Sequence, residues 1–368
     1  MKNRRIIINA TNIGKKLHGI SVYSLNLLKE FAKLNTKTKF LVIVNDYAKQ
    51  YLDKIIFPQN FSIKYVTNLM SSDFRFIGLS LRLLYSNLLS IKYRDSLIFN
   101  TSQLESIFIP CRQVITVHDI IPLLFKKFHK KHYIYFKYFL KFAFKNVSAI
   151  ITPSSHTKSL LEDFYNIPSE KIYVVHNGIQ DDYLNEKKDF IHNKGNYILY
   201  CGRIAPTKNI TGLIKAFNMI KEKLDYKLII VGGGYEKLIN EIASLGLLND
   251  KIIFKGYIDN DEMVNLYKKA SCFVFPSLYE GFGFPPLEAM ACGCPVVVSN
   301  VSSLPEICGN AAYYIDPNNV ESIADGICKV LTDANLRKTL IQNGLERVKL
   351  FTWENTAKEI MKVFEKVQ

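Results

Sequence analysis

The chain has 368 residues, longer than one hydrophobic core usually grows, so two domains of ordinary size are expected. Apolar residues at 48% and charged residues at 22% exclude a disordered protein, and no run of about 18 uncharged apolar residues offers a membrane-spanning helix. The 48 Lys and Arg outweigh 33 Asp and Glu for a net charge of +15, which attracts phosphates, anionic lipid or nucleic acid without choosing among them.

After Met1-Lys2-Asn3-Arg4-Arg5 only a short apolar run precedes Thr11, Asn12 and Gly14, too short for a signal peptide. β-rich runs then recur at 5–8, 40–44, 96–99, 114–117, 149–152 and 172–175. They are continuous rather than alternating, as strands covered on both faces should be. Helical spacing lies between several of them, as at 20–34 with Tyr23, Leu27 and Phe31, which predicts a parallel sheet flanked by helices. The polar stretch 181–195 reads as an interdomain linker. A second α/β series follows at 197–200, 227–231, 252–254, 272–275 and 295–298. Seven cysteines, an odd number set mostly in apolar runs, suit a reducing cytosol. Cys292 and Cys294 are close together but have no further Cys or His at zinc spacing, so they read as small buried residues.

Ligands of open α/β sheets bind beyond the carboxyl ends of the strands, so the loops after each run carry the chemistry. Those loops hold His118-Asp119, His176-Asn177-Gly178, Gly202-Arg203 with Lys208, three glycines after Val231, and the segment from Tyr279 to Pro295. In that segment Gly281 and Gly283 permit close backbone approach, the prolines fit a helix's first turn, and amides there point at an arriving anion. Glu280 and Glu288, beside such an anion site, make sense as acceptors for sugar hydroxyls. Arg203 and Lys208 on one loop suit a diphosphate whose charge grows as it departs.

Two glutamates separated by seven residues around Gly-Phe-Gly-Phe-Pro resemble glycosyltransferase family 4, and the resemblance spans nearly the whole chain. Gly19-Ile20-Ser21-Val22-Tyr23 resembles its N-terminal glycine loop, His118-Asp119-Ile120-Ile121-Pro122 its His-Asp segment, and Asn177-Gly178-Ile179 the end of its first domain. Gly202-Arg203 with Pro206, Lys208 and Asn209, and Gly256-Tyr257, resemble its donor-site loops. The resemblance implies a GT-B fold, two Rossmann-like α/β/α domains facing across a cleft. Residues 1–185 would bind the acceptor, 196–350 the nucleotide sugar, and a helix at 351–368 would cross back to the first domain. It implies a retaining transferase in which Glu288 binds the donor ribose and Glu280 the transferred sugar, while Arg203 and Lys208 hold the diphosphate. Amides near Gly281, Phe282, Gly283 and Phe284, with that of Gly19, would complete the phosphate cradle around Gly202. His118 would sit beside sugar and acceptor, and Gly256, Tyr257 and Ile258 would flank the base. Ser21 stands where a second glycine is frequent, and Cys292 and Cys294 replace the usual small residues around Gly293.

The residues from Ser299 to Ala312 most resemble bacterial mannosyltransferases of O-antigen or capsule assembly. GDP-mannose is therefore the first expected donor, with UDP-N-acetylglucosamine, UDP-glucose and dTDP-rhamnose behind it, and a glycan or lipid-linked acceptor. No metal or cofactor is expected, because Asp259-Asn260-Asp261 precedes a helical pattern and suits an N-cap better than a metal motif. A cytoplasmic protein is expected, at the inner membrane face if the basic aromatic stretch 126–145 lies on anionic lipid. The competing reading of that stretch is a helix with its aromatics in the core and Lys137, Lys141 and Lys145 outside. His118 could likewise be a satisfied core histidine. A non-catalytic, nucleic-acid-binding basic protein is the rival of another class, disfavoured because no nucleic-acid module is recognisable. An epimerase or a phosphorylase of the same fold is disfavoured by the glutamate pair and by the lack of a pyridoxal lysine site.

Overall fold

The computed structural model describes residues 5–17, 19–184 and 194–367, which form two compact units. The first unit is Met1–Gly178 together with Trp353–Gln368, and the second is Ile179–Thr352. The division therefore precedes the expected linker, and within that stretch Asp181–Leu184 form a short helix of the second unit. Residues 185–193 of the expected linker lie outside the described residues.

The first unit is built on a parallel sheet of β1 (Arg5–Asn9), β2 (Lys39–Asn45), β3 (Phe61–Val66), β4 (Leu97–Asn100), β5 (Gln113–Thr116), β6 (Ala149–Thr152) and β7 (Ile172–Val174). The strand order is β3-β2-β1-β4-β5-β6-β7, so the direction of winding reverses between β1 and β4. Ile6, Ile7, Val42, Ile98 and Ile150 are fully buried, which is why these strands read as unbroken apolar runs. Helix α1 (Gly19–Lys33) and helix α2 (Arg75–Lys92) flank the sheet's first half.

In the second unit the strands are β8 (Tyr197–Cys201), β9 (Lys227–Val231), β10 (Ile252–Lys255), β11 (Cys272–Phe275), β12 (Val296–Ser299) and β13 (Ala312–Ile315), again parallel. Their order, β10-β9-β8-β11-β12-β13, turns at β8. Helix α3 (Phe284–Ala291) follows β11, and its Leu287, Ala289 and Met290 enter the core. The strands at which the chain enters and leaves this unit are bridged: the Ile179 N–H donates to the Phe351 carbonyl at 3.0 Å, and Ile179 pairs with Thr352.

Helix α4 (Trp353–Val367) belongs to the first unit. Its Phe364, 1% exposed, meets the rings of Phe99 at 5.0 Å and Phe31 at 6.2 Å, and Trp353 packs edge-on against Tyr23 at 5.9 Å. Burying such rings supplies about 2–3 kcal/mol each, enough to anchor a helix distant in sequence.

The basic aromatic stretch is not one regular helix. Lys130–Ile134 and Leu140–Lys145 are α-helical, and a π-turn, Tyr135–Phe139, joins them. The extra residue in that turn rotates the side chains, so neither sequence reading describes the whole stretch. Tyr135, Phe136, Leu140 and Phe144 are buried, whereas Ile134, Tyr138, Phe139 and Phe142 are exposed.

Candidate active site

Each sheet has its reversal point where parallel α/β folds place ligands; Gly19 follows β1 and the loops of Gly202 and Glu280 follow β8 and β11 at these points, while His118 follows β5 and Gly256, Tyr257 and Ile258 follow the edge strand β10. Gly19 and His118 belong to the first unit; every other candidate belongs to the second.

In the second unit the loops after neighbouring strands β8 and β11 carry the charged residues. The β8 loop rests on the glycine run after β9, with the Gly202 N–H donating to Val231 O at 3.0 Å and the Ile204 N–H to Gly233 O at 3.2 Å. A Cβ on Gly232 would strike the Gly202 carbonyl oxygen, and its φ of +139° is one that L side chains rarely adopt, so this approach requires glycine. Arg203 is exposed on the loop. Further along, the turn Pro206–Lys208 is tied to the β11 loop by the Leu278 N–H, which donates to Thr207 O at 2.8 Å.

This tie brings Lys208 Nζ to 2.5 Å from Glu280 Oε1, with only 17% and 11% of the two side chains exposed. Glu280 is held from behind by residues that follow β12. Its N–H donates to Ser302 Oγ at 3.0 Å, and Ser303 Oγ lies 3.1 Å from the Glu280 carbonyl and 2.7 Å from that of Phe282. Gly283, at φ +111°, turns the backbone into α3, where a Cβ would meet Leu304 at 2.8 Å. Pro285 and Pro286 carry no N–H, so the amides of the first turn are those at Gly283, Phe284 and Leu287.

Glu288, half-buried on α3, accepts the Tyr267 hydroxyl at 3.1 Å on Oε2. Desolvation pushes its carboxyl up to about 7, against the opposing pull of the tyrosine hydrogen bond. Tyr200, wholly buried beneath Gly202, keeps a hydroxyl without a hydrogen-bond partner, and burial followed by the Glu280 charge holds that hydroxyl neutral. Gly256, Tyr257 and Ile258 follow β10, and the exposed Tyr257 ring lies over Gly233. Asp259 caps the next helix, accepting the Glu262 N–H at 2.8 Å.

In the first unit Gly19 opens α1 with free space where a Cβ would stand. Ser21 Oγ, at the position of the frequent second glycine, accepts the Gly14 N–H at 3.3 Å and so holds the loop itself. His118 Nε2 lies 2.9 Å from the Thr101 carbonyl, so Nε2 carries the proton and Nδ1 is left as an acceptor. Burial lowers its pKa to about 4, only partly countered by that bond, and Tyr23 meets the ring edge-on at 4.7 Å. The imidazole is thus neutral at physiological pH: it can accept a hydroxyl proton's hydrogen bond but offers no cation to a phosphate.

Several supporting residues escape sequence reading. Glu105, fully buried, accepts the N–H groups of Asn12 at 3.0 Å and Ser102 at 3.1 Å, joining the loops after β1 and β4. Its signal was present as the capping pattern Ser102-x-x-Glu105. Tyr200, Tyr267, Ser302 and Ser303 carry no comparable local signal, since each acts on a residue distant in sequence.

Residues 17–183 match the model of Glycosyltransferase Family 4, and residues 182–347 that of Glycosyl transferases group 1. The chain is 33% identical over 268 residues to O-antigen chain mannosyltransferase B of Escherichia coli, covering 69% of this chain and 70% of that one. It is 30% identical over 347 residues to O-antigen chain mannosyltransferase RfbU of Salmonella typhimurium, covering 88% and 93%. Anabaena Alr3699/HepE, solved in complex with UDP-glucose, superposes with a TM-score of 0.73 at 17% identity over 98% of this chain and 99% of that one, a likeness of fold. The chain belongs to the family 4, group 1 glycosyltransferases and is a glycosyltransferase of the GT-B fold.

Proposed function

We propose that this enzyme transfers mannose from GDP-mannose, with retention of anomeric configuration, to a glycan or lipid-linked acceptor in cell-surface polysaccharide assembly. The mannose assignment is supported by the two O-antigen mannosyltransferases at 30% and 33% identity. The observation that carries the transferase chemistry is the Lys208–Glu280 pair, a cation and a carboxylate held at 2.5 Å on the loops of adjacent strands.

In this reading the donor lies along the β8 and β11 loops. Glu288 accepts the ribose hydroxyls and Glu280 the hydroxyls of the transferred sugar. Lys208 and Arg203 neutralise the departing diphosphate, helped by the amides of Gly283 and Phe284 and by Gly202, Gly281 and Phe282. Gly256, Tyr257 and Ile258 flank the base. Attack on the same face as the leaving group lets the phosphate oxygen take the acceptor's proton as the new glycosidic bond forms and the sugar–phosphate bond breaks. No protein nucleophile and no metal is needed. His118 contributes a neutral acceptor, Nδ1, to a hydroxyl of sugar or acceptor.

A uridine donor is the second reading, favoured by the UDP-glucose complex of the structurally similar Alr3699/HepE. The protein works in the cytoplasm in this account, in peripheral contact with anionic membrane, and does not bind nucleic acid. Thermal-shift measurements with GDP, UDP, dTDP and ADP separate the donors, because a ligand stabilises only the folded state that binds it. Stabilisation by GDP above the others supports the mannose reading; stabilisation by UDP alone replaces it, and none by any of the four removes the donor site.

A further inference from the structure

We infer that the cavity beneath the amino ends of β8, β9, β11 and β12, closed by the helix Ala334–Arg347, is a binding site for a small phosphate monoester with a ring-sized apolar body. It lies within the second unit, at the end of the sheet opposite the candidate donor loops, and the inference does not depend on the transfer chemistry.

The cavity is built by four neighbouring strands and one helix face. Asn196, Tyr226, Ser271 and Pro295 each stand immediately before a strand, and those strands are adjacent in the order β9-β8-β11-β12. From the helix come Ala334, Arg337, Lys338, Ile341 and Gln342, whose spacing of three, one, three and one places them on one face. The enclosed space is about 550 Å³, in the range of pockets that hold small organic ligands. Strands of four and five residues set it about 15 Å from the loops that carry Gly202, Glu280 and Ser302.

Charge selects the ligand's head. Among the described residues three cations and no carboxylate line the cavity. Lys194 Nζ donates to the Lys268 and Gly293 carbonyls at 2.7 and 3.1 Å, which leaves its third N–H without a partner among the described residues. Burial lowers the pKa of this ammonium, whose charge no carboxylate in the wall offsets. Arg337 is fixed by Nη1, which donates to Val330 O at 3.0 Å and Leu331 O at 2.5 Å, so Nε and Nη2 remain as a two-pronged donor. Lys338, exposed beside it, adds the third charge. A guanidinium fork flanked by two ammonium groups matches a dianionic phosphate.

The rest of the wall selects the body. Tyr226, Pro295, Leu331 and Ile341 present a ring and aliphatic surface. Inorganic phosphate would reach the cations and leave that surface in water, whereas an ester with an apolar ring covers it.

Fluorine NMR titration with para-fluorophenyl phosphate tests the site, run with and without the nucleoside diphosphate that stabilises the protein most. The dissociation constant should be on the order of a millimolar and the same in both runs, whereas para-fluorobenzyl alcohol, which lacks the charge, should not bind. Arg337→Gln should weaken binding about tenfold or more by removing the charge-assisted fork. Ile341→Trp, which fills the cavity from its half-buried wall, should exclude the probe. Melting temperatures close to the parent's show that both variants fold. Lack of probe binding in the parent overturns the inference, as does parent-like binding in either variant or displacement of the probe by the nucleoside diphosphate. Binding of the alcohol as tightly as of the phosphate overturns it too. Probe binding in a protein that no nucleoside diphosphate stabilises would instead leave this site standing and remove the donor site.

Discussion

Replacing Glu280 by Gln should slow transfer yet tighten binding of the nucleoside diphosphate product. In the structure Lys208 is not waiting for phosphate: its ammonium is held by Glu280 at 2.5 Å, with little of either side chain exposed. A diphosphate that recruits Lys208 has to draw it off this carboxylate, and the carboxylate then stands beside a second anion. Deleting a buried ion-pair partner costs about 3–5 kcal/mol. Glutamine keeps an oxygen acceptor for Lys208, and water reaches the pair, so a stability loss of about 1–2 kcal/mol is expected. A hydrogen bond to a charged group is worth about 1.5–3 kcal/mol, and relieving roughly half of it strengthens product binding by about 4- to 12-fold. Isothermal titration with the stabilising nucleoside diphosphate, beside steady-state turnover, measures both effects. Slower turnover with unchanged or weaker diphosphate binding would refute the competition of Glu280 and diphosphate for one lysine.

Lys208→Ala should lower kcat by about 100- to 1000-fold, the loss seen when one preorganised stabiliser of departing charge is removed; unchanged turnover rules that role out. Glu288, pushed up to about 7, should bind ribose hydroxyls better as it ionises, so nucleotide affinity should rise between pH 6 and 8 in the parent and stay flat in Glu288→Gln by titration across that range. His118 has a folded pKa of about 4, below its unfolded value, so its share of stability is full above the unfolded pKa and is lost as pH falls toward 4. Melting curves of His118→Asn against the parent should accordingly converge on acidification, the parent losing about 2 kcal/mol more by pH 5. Phe364→Ala should cost about 3–5 kcal/mol in the first unit by opening a cavity between Phe31 and Phe99, read by denaturant titration.

Most of the fold was legible because most strands are buried on both faces and therefore stand out as unbroken apolar runs. Two strands were not. β3 alternates exposed and half-buried residues at a sheet edge, and β13, Ala312-Tyr313-Tyr314-Ile315, is another short edge strand with half-buried tyrosines. The compact units divide at Gly178 and Ile179, a few residues before the polar stretch, where the chain is apolar and buried and composition leaves no mark. In the second unit the structure brings Glu280 and Lys208 together and sets Glu288 on the helix that follows. A separation of 72 positions hides the contact of Lys208 with Glu280, and separations of 21 and 23 hide Tyr267 behind Glu288 and Ser303 behind Glu280. The mixed character of 126–145 was invisible because a π-turn leaves no periodic trace.

The return of α4 to the first unit has a bearing on how the protein is made. Residues 179–352 are contiguous and can reach their native arrangement while translation continues. The N-terminal unit emerges from the ribosome first but finishes last, since the ring that seals Phe31 and Phe99 belongs to residue 364. Until then the rings of Phe31 and Phe99 lack the cover of Phe364 and expose aromatic surface to solvent, which makes premature termination near the end of the message a route to aggregation rather than to a slightly shortened enzyme.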